Sequence, residues 1–240
     1  KRYAPNGNLT ATSDWVKGER HGYFRTYYPT GQKRSEIRYD HGKPAKSGKT
    51  FYASGALRST FELLNEARHG QEEHYFEDSG KRKAIYRFHY GLLHGWARHY
   101  FEDSGKLEFQ VQYAAGKAQG LETHFYPNGK KRFMVHRRDG LRVGLGYLYN
   151  ESGRKIAEFP FVNDKIHGIE RRFYDSGKLK AEFPWVDGQT QGLGYVYYET
   201  GKRQLEVPFE KGKITGVEKE YYESGRLKTE TQRVDGRANG

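Results

Sequence analysis

A glycine that recurs at a nearly constant spacing constrains this chain more than any other feature of its sequence. The glycine returns every 24 or 25 residues and usually ends a short polar turn that follows an aromatic residue. A fixed period of this length indicates tandem repeats, each of which is one small structural unit. We term these residues the first glycines, and they are Gly7, Gly31, Gly55, Gly80, Gly105, Gly129, Gly153, Gly177, Gly201 and Gly225.

A second glycine lies fifteen residues after nearly every first glycine. The exception is Lys46, where the glycine stands two residues later at Gly48, so a local distortion is expected in that repeat. Between the two glycines lies a further turn of the type Asp187-Gly188, so each repeat is predicted to reverse direction twice. The second glycines are Gly22, Gly70, Gly95, Gly120, Gly144, Gly168, Gly192, Gly216 and Gly240.

Each repeat is predicted to hold two β-strands, the first of which runs from the second glycine to an aromatic pair. We number the six residues that follow the second glycine as positions one to six. Positions one and five are apolar in most repeats and lie on one face, because side chains alternate along a strand. This pattern places positions one and five against the core and position six on the opposite, exposed face. The aromatic residues at position six, here termed the aromatic row, are Tyr28, Tyr52, Phe76, Phe101, Tyr126, Tyr174, Tyr198 and Tyr222.

The second strand follows the first glycine, and its apolar residues are the fourth, sixth and eighth after that glycine, as in Ala181, Phe183 and Trp185. Three repeats carry proline at the seventh residue, namely Pro160, Pro184 and Pro208. Proline cannot donate a hydrogen bond to a neighbouring strand, which predicts a bulge or the end of the strand there.

Tight turns at both ends of each strand allow only antiparallel neighbours. The predicted fold is therefore all-β, an elongated antiparallel meander or solenoid of about ten 24-residue β-hairpin repeats. Residues 1–240 would form a single repeat domain with incomplete units at both ends. The modest hydrophobic content of 35% suits a thin sheet, because one face of each strand needs cover.

The recurring Tyr-Tyr-x-x-Gly pattern, followed by an apolar residue and Gly-Lys-x-x-Gly, resembles the MORN repeat. It is most similar to the variant MORN repeat of bacterial antitoxin-like repeat proteins, and residues 125–129 and 221–227 carry the pattern best. The resemblance implies a non-enzymatic scaffold for protein–protein interaction, with a toxin or another effector as partner. Departures are Lys46 for the second glycine, Asn150 at position six, and Glu66 and Asp164 in the second turn.

The aromatic row is the predicted partner-binding surface, because exposed rows of tyrosine and phenylalanine often mark interfaces. Incomplete units at the two ends also leave strand edges exposed, which makes a homodimer through the terminal strands an open alternative.

The formal net charge of +12 is unevenly distributed. Residues 1–50 hold eleven Lys/Arg against four Asp/Glu, whereas residues 151–200 hold seven against eight. A local basic cluster is predicted to bind anions or lipid headgroups, and it comprises Lys130, Lys131, Arg132, Arg137, Arg138 and Arg142. The alternative function is thus attachment to the cell envelope through anionic lipid or glycan, which favours the envelope or periplasm over the cytoplasm. Nucleic acid is not a favoured partner, because acidic residues are interspersed along most of the array.

The sequence predicts no cofactor and no metal site. It contains no cysteine, which excludes disulfides and thiolate ligands. His74, His99 and His124 share one position in three consecutive repeats, but equivalent positions lie about 9.6 Å apart, too far for one metal ion. Serine, histidine and acidic residues recur in phase with the repeat instead of converging, so no catalytic residues are predicted and an enzyme is the least favoured alternative.

Overall fold

The structure, a computed structural model, describes residues 1–238, and within that range all regular secondary structure is β-strand. The second glycine Gly240 lies outside the described residues. The prediction of an all-β antiparallel meander built from hairpin repeats is confirmed. Among residues 1–238 no helix has the length and apolar character needed to cross a bilayer.

The chain divides into two compact units, residues 1–118 and residues 119–240. The strands that begin in the first unit are β1 (Arg2–Tyr3), β2 (Leu9–Val16), β3 (Glu19–Tyr27), β4 (Lys33–Asp40), β5 (Lys43–Phe51), β6 (Leu57–Leu64), β7 (Ala67–Tyr75), β8 (Arg82–His89), β9 (Leu92–Leu93), β10 (Gly95–Tyr100), β11 (Leu107–Ala114) and β12 (Lys117–Phe125). Those of the second unit are β13 (Lys131–Arg138), β14 (Leu141–Tyr149), β15 (Lys155–Val162), β16 (Lys165–Ile166), β17 (Gly168–Phe173), β18 (Leu179–Val186), β19 (Gln189–Thr190), β20 (Gly192–Tyr197), β21 (Arg203–Glu210), β22 (Lys213–Ile214), β23 (Gly216–Tyr221), β24 (Leu227–Val234) and β25 (Arg237–Ala238).

The turn between the two glycines contains two consecutive residues with positive φ. In the β18–β19 turn, Asp187 has φ 49° and Gly188 has φ 87°, and the flanking residues Val186 and Gln189 pair. Two positive φ angles in a two-residue hairpin loop define the type I′ turn, whose twist matches that of the strands. Glycine usually fills the second site, but Glu66 (φ 67°) and Asp164 (φ 69°) fill it in two repeats.

A bulge follows each of these turns, and the second glycine lies in it. Gly168 has φ 115°, and the preceding His167 donates its N–H to the carbonyl of Pro160 at 2.9 Å. Pro160 therefore takes part in the bulge through its carbonyl oxygen, and this site does not require the backbone N–H that proline lacks. The predicted bulge is confirmed, whereas the alternative of a strand end is wrong, because β15 continues through the proline to Val162.

The repeat with Lys46 keeps the register of the other repeats but is locally distorted, as the sequence predicts: Lys46 lacks the positive φ of the described second glycines, and β5 pairs with β6 only from Ser47 onwards. The register of β4 and β5 shifts between Ile37 and Tyr39, as the register of β6 and β7 does one repeat later. Gly48 is not a displaced second glycine, because it lies at position two and packs beneath aromatic rings. At the equivalent Gly146, an added Cβ would lie 2.8 Å from Cε2 of Phe161.

The two faces of the sheet are the reverse of those predicted for the first strand. Glu170 at position two pairs with Phe183 and is 1% exposed, whereas Ile169 at position one pairs with Pro184 and is 39% exposed. Positions two and four lie on one face together with the fourth, sixth and eighth residues after the first glycine, and we term this the packed face. Positions one, three and five lie on the opposite, open face. The predicted alternation of the second strand is correct, since Ala181 is 3% exposed.

The core on the packed face is thin and consists mainly of small side chains. In the first unit, Ala97, Val111 and Ala118 form a buried cluster against partly buried aromatic rings. In the second unit, Val135 and Ala157 are buried in the same way. Small residues suit this position because the larger rings of neighbouring repeats close over them.

The two non-glycine residues at the second site of the type I′ turn give the first prediction. Replacing Glu66 by glycine relieves a left-handed conformation at an exposed residue, so the free energy of unfolding should rise by about 1 kcal/mol. Urea denaturation measures this change. Asp164→Gly is the matched control: it relieves the same conformation but removes a carboxylate that Arg142 and Arg137 contact, so it should give no gain. An equal gain in both variants would contradict a stabilising role for the Asp164 carboxylate.

Candidate interaction surfaces

Five tyrosines of the aromatic row connect their own repeat to the next. Within the second unit the Tyr126 hydroxyl donates to the carbonyl of Tyr149 at 2.8 Å. The same bond, donated to the position-five carbonyl one repeat later, is made by Tyr28, Tyr52, Tyr174 and Tyr198. Each bond satisfies a backbone carbonyl next to the turn that holds the first glycine. We term this hydrogen bond the tyrosine clamp.

The aromatic row is not an exposed ladder, which corrects the sequence-based expectation. Its members are half-buried, with the exception of Tyr222, which is 52% exposed. A cationic side chain lies over several of the rings: Lys180 Nζ is 5.4 Å from the centroid of Tyr174, and Arg58 Cζ is 5.8 Å from that of Tyr52. Position six lies on the same face as positions two and four because side chains alternate along a strand, so the row belongs to the packed face. Whether the row contacts a partner stays a prediction.

The predicted basic cluster does not form one patch. Arg137 and Arg138 are neighbours in strand β13 and therefore point to opposite faces. Arg137 donates from Nε to Glu122 at 2.6 Å, and Arg142 donates from Nε to Asp164 at 2.9 Å. The backbone and side-chain hydrogen bonds from Arg142 lower the pKa of Asp164. Arg137 and Arg142 are thus neutralised within the fold. Lys130 donates to the carbonyl of Ser152. Lys131, Arg132 and Arg138 are exposed.

Buried carboxylates at position two are a feature that the sequence reasoning missed. Glu72, Glu122 and Glu170 are 8%, 6% and 1% exposed. Each pairs with the residue two positions later on the same face: with His74 at 2.8 Å, His124 at 3.0 Å and Arg172 at 2.6 Å. The recurring Glu-x-His/Arg spacing is the signal that predicts them, since a buried charge requires a partner.

Glu122 is held as an anion despite its burial. Burial alone would raise the pKa of this carboxyl, but hydrogen bonds from His124 and Arg137 outweigh that effect and hold the pKa below its ordinary value. The position-four histidines are likewise occupied, because His99 lies 3.0 Å from the Tyr86 hydroxyl. The three histidines that share position four therefore have structural partners, His74 and His124 in their own strands and His99 in the preceding repeat.

A concave pocket of about 770 Å³ opens on the packed face of the first unit. Arg34, Arg58 and Arg68 contribute to its wall, together with two hydroxyl pairs, Thr26–Ser35 and Thr50–Ser59, each 2.6 Å apart. Arg68 is paired with Glu72, but in the described part of the chain neither Arg34 nor Arg58 contacts a carboxylate. The pocket is therefore a cationic and hydroxyl-rich surface.

The open face of the second unit carries a continuous apolar band. At position one, Leu145 pairs with Pro160, Ile169 pairs with Pro184, and Leu193 pairs with Pro208. The three position-one side chains are between 39% and 41% exposed. Successive pairs adjoin, because Gly168, next to Ile169, lies against Pro160. We term these six residues the open-face band.

Among residues 1–238, one group of side chains could hold a metal ion. Ligand atoms of His21, Asp40 and His41 in the first unit all lie within 4.8 Å of one another, at the turn between β4 and β5. This group is separate from the histidines at position four and was not predicted from the sequence.

The model of the MORN repeat variant matches four segments of the chain, residues 20–41, 118–139, 166–187 and 214–235. Each segment begins two residues after one type I′ turn and ends on the first residue of the next, so the match follows the repeat described above. The four matches confirm the resemblance to the variant MORN repeat.

Two solved structures align with almost the whole chain, but their structural similarity to it is low. The crystal structure of TcdB2-TccC3-Cdc42 aligns over 98% of this chain at 14% identity, with a TM-score of 0.16. The crystal structure of TcdB2-TccC3 without its hypervariable C-terminal region aligns over 98% at 13% identity, with a TM-score of 0.17. This chain spans 17% of the length of each. Comparison with curated proteins gave no match.

The tyrosine clamp gives the second prediction. Tyr126→Phe removes one hydroxyl and leaves the Tyr149 carbonyl without that donor, so the free energy of unfolding should fall by about 1 kcal/mol. Denaturation in urea measures the loss. Tyr222→Phe is the matched control, because no carbonyl among residues 1–238 accepts the Tyr222 hydroxyl, and it should leave stability unchanged. Equal losses in both variants would show that the hydroxyl acts through something other than the clamp.

The buried carboxylate Glu122 gives the third prediction. Because its folded pKa lies below the ordinary value, its ionisation stabilises the fold above about pH 4.3, and this contribution is lost as the pH falls through the folded value. Glu122→Gln should therefore lose less stability than the wild type between about pH 5 and about pH 2. Thermal unfolding across that range measures it. Parallel pH profiles in the two proteins would exclude Glu122 as a source of acid sensitivity.

Proposed function

This chain belongs to the MORN repeat variant family, and on that premise we propose that it is a non-catalytic repeat scaffold that binds another protein. The family match supports the scaffold. The more specific proposal is that the partner is a toxin or another effector with an apolar surface, and that it docks on the open-face band.

The observation that carries this proposal is the continuity of the open-face band across three repeats. Isolated exposed aliphatic residues are common, whereas a contiguous apolar strip at equivalent positions marks an interaction site. Leu145, Ile169 and Leu193 recur at position one, where a soluble sheet could equally carry polar residues. Three prolines add rigid apolar surface beside them, so little side-chain entropy is lost on contact.

The aromatic row acts in this proposal mainly as support for the band. Tyr174 and Tyr198 tie their own repeats to the following ones through the tyrosine clamp, which holds successive repeats at a fixed spacing. A direct contact between the row and the partner is a separate proposal that the same experiment tests.

The test is affinity capture followed by titration of the captured protein, and it gives the fourth prediction. The double variant Ile169→Lys/Leu193→Lys places two charges in the band, and each should cost on the order of 2 kcal/mol, or about 30-fold in Kd. Val16→Lys is the matched control, because Val16 is an exposed aliphatic residue of the first unit. Binding should persist at high salt, since the contact is apolar.

Two outcomes would redirect the proposal. Equal binding by the wild type and the double variant would exclude the open-face band. The contact would be assigned to the aromatic row instead if a fully folded Tyr174→Phe/Tyr198→Phe variant lost binding while the Ile169→Lys/Leu193→Lys variant kept it.

A second copy of the chain is another occupant that the fold allows. Strand β1 pairs only with β2 in the part of the chain that the structure describes, so its outer edge has unpaired backbone groups. A homodimer through terminal strands would double the mass measured in solution and would be lost after Arg2→Pro, since proline removes an edge donor. Such a dimer would leave the open-face band free for its protein partner.

A second candidate function is attachment to an anionic lipid or glycan through the first unit. The pocket arginines Arg34 and Arg58 support it, because they stack on Tyr28 and Tyr52 and contact no carboxylate among the described residues. Vesicles of anionic phospholipid should bind the wild type at low salt and bind Arg34→Gln/Arg58→Gln less well. Arg25→Gln is the control, because Glu36 already neutralises Arg25 at 2.7 Å. Binding by the double variant equal to that of the wild type would exclude this surface.

A further inference from the structure

Three potential metal ligands converge at the turn between strands β4 and β5. His21 precedes the second glycine Gly22 in strand β3, and Asp40 and His41 end β4 and begin the turn. Nδ1 of His21 lies 3.3 Å from Oδ1 of Asp40, and Nδ1 of His41 lies 2.9 Å from the same oxygen. The two imidazole rings are 5.0 Å apart at their centroids.

We propose that His21, Asp40 and His41 form a binding site for a divalent transition-metal ion of the Zn²⁺ type. Zinc takes nitrogen and oxygen ligands at about 2.0–2.2 Å, so two ligand atoms in a tetrahedral site lie about 3.3 Å apart. The two nitrogen–oxygen distances observed here are close to that spacing. Two imidazoles and one carboxylate leave a further coordination position, which a water molecule or a side chain of a partner can fill.

The environment of His21 supports the site independently of these distances. Its Nδ1 atom is shielded from solvent and has no hydrogen-bond partner in the structure, although Asp40 lies 3.3 Å away. A buried polar atom without a partner is costly, and a metal ion beside Asp40 would satisfy it. A neutral imidazole offers a lone pair at this nitrogen, which is the form that binds metal.

The backbone holds the other two ligands in place. His41 occupies the first site of the type I′ turn with φ 44°, and Asp40 pairs with Lys43 across that turn. A two-residue turn permits little movement of the Cα atoms that carry the Asp40 and His41 side chains. The Asp40 side chain is 74% exposed, so an ion can reach the site from solvent.

Equivalent places in other repeats lack at least one of the three ligands, which makes the site specific to one turn. In the second unit, His167 lies 3.6 Å from Asp187, but the residue that corresponds to Asp40 is Val186. In the repeat of His69, the residue that corresponds to His41 is Tyr90, whose ring lies 5.2 Å from the imidazole of His69. Within residues 1–238, only the turn of Asp40 and His41 supplies two imidazoles and a carboxylate this close together.

The experiment is calorimetric titration of the full chain with Zn²⁺ alone, after removal of metal with a chelator. The wild type should bind one equivalent of Zn²⁺ tightly. The Asp40→Asn and His41→Asn variants should each bind that equivalent with at least tenfold lower affinity. Asparagine tolerates the left-handed conformation at position 41, so the turn is preserved. His167→Ala is the matched control and should retain the tight equivalent.

Two further measurements make the result decisive. Zn²⁺ should raise the unfolding temperature of the wild type, and this increase should shrink from about pH 7.5 to about pH 5.5 as protons compete for the imidazoles. The chelated variants should unfold at the temperature of the chelated wild type, which shows that their loss of binding is not a loss of folding. Identical titrations of the wild type and Asp40→Asn would overturn the proposal, as would loss of the tight equivalent in His167→Ala alone.

Discussion

The pair of positive-φ residues at each two-residue turn is the constraint on which the rest of the structure depends. Because both sites of the type I′ turn are left-handed, the flanking strands are joined in one register, as Val186 and Gln189 show. That register places proline where a bulge leaves no need for its N–H. It also brings each position-six hydroxyl within reach of the following repeat. Tertiary contacts in each unit therefore follow from local backbone geometry.

Most of the fold could be predicted from the sequence because it is determined by residues close together in the chain. The glycine period, the turns and the alternation of Ala181, Phe183 and Trp185 are all local features, and each is present in the structure. The identity of the buried face was not predictable in the same way. In most repeats position two carries glycine or glutamate, which normally indicate exposure, but Gly146 accommodates a phenylalanine ring and Glu170 pairs with Arg172. Gly146 is explained by rings on the neighbouring strands, and Glu170 is explained by the arginine two residues later on its own strand.

The candidate surfaces were harder to predict for a related reason. Neighbouring cations such as Arg137 and Arg138 form a cluster in the sequence, but alternation directs them to different faces, and Asp164 neutralises Arg142 from the next repeat. Conversely, the open-face band joins residues from three repeats that are far apart in the chain. Its two components, aliphatic residues at position one and prolines at the seventh residue, were both visible in the sequence but were assigned to the core and to a strand defect.

The tyrosine clamp also gives the array a direction and a rule for growth. Every clamp runs from one repeat to its successor over 23 residues, as from Tyr126 to Tyr149. Duplicating or deleting a whole repeat therefore leaves each internal hydroxyl with an acceptor, while an insertion of part of a repeat would not. Gene-level changes in unit number should be tolerated, because only a tyrosine without a following repeat would lack its acceptor. Chain length in such an array can thus vary by unequal recombination without redesign of its interior.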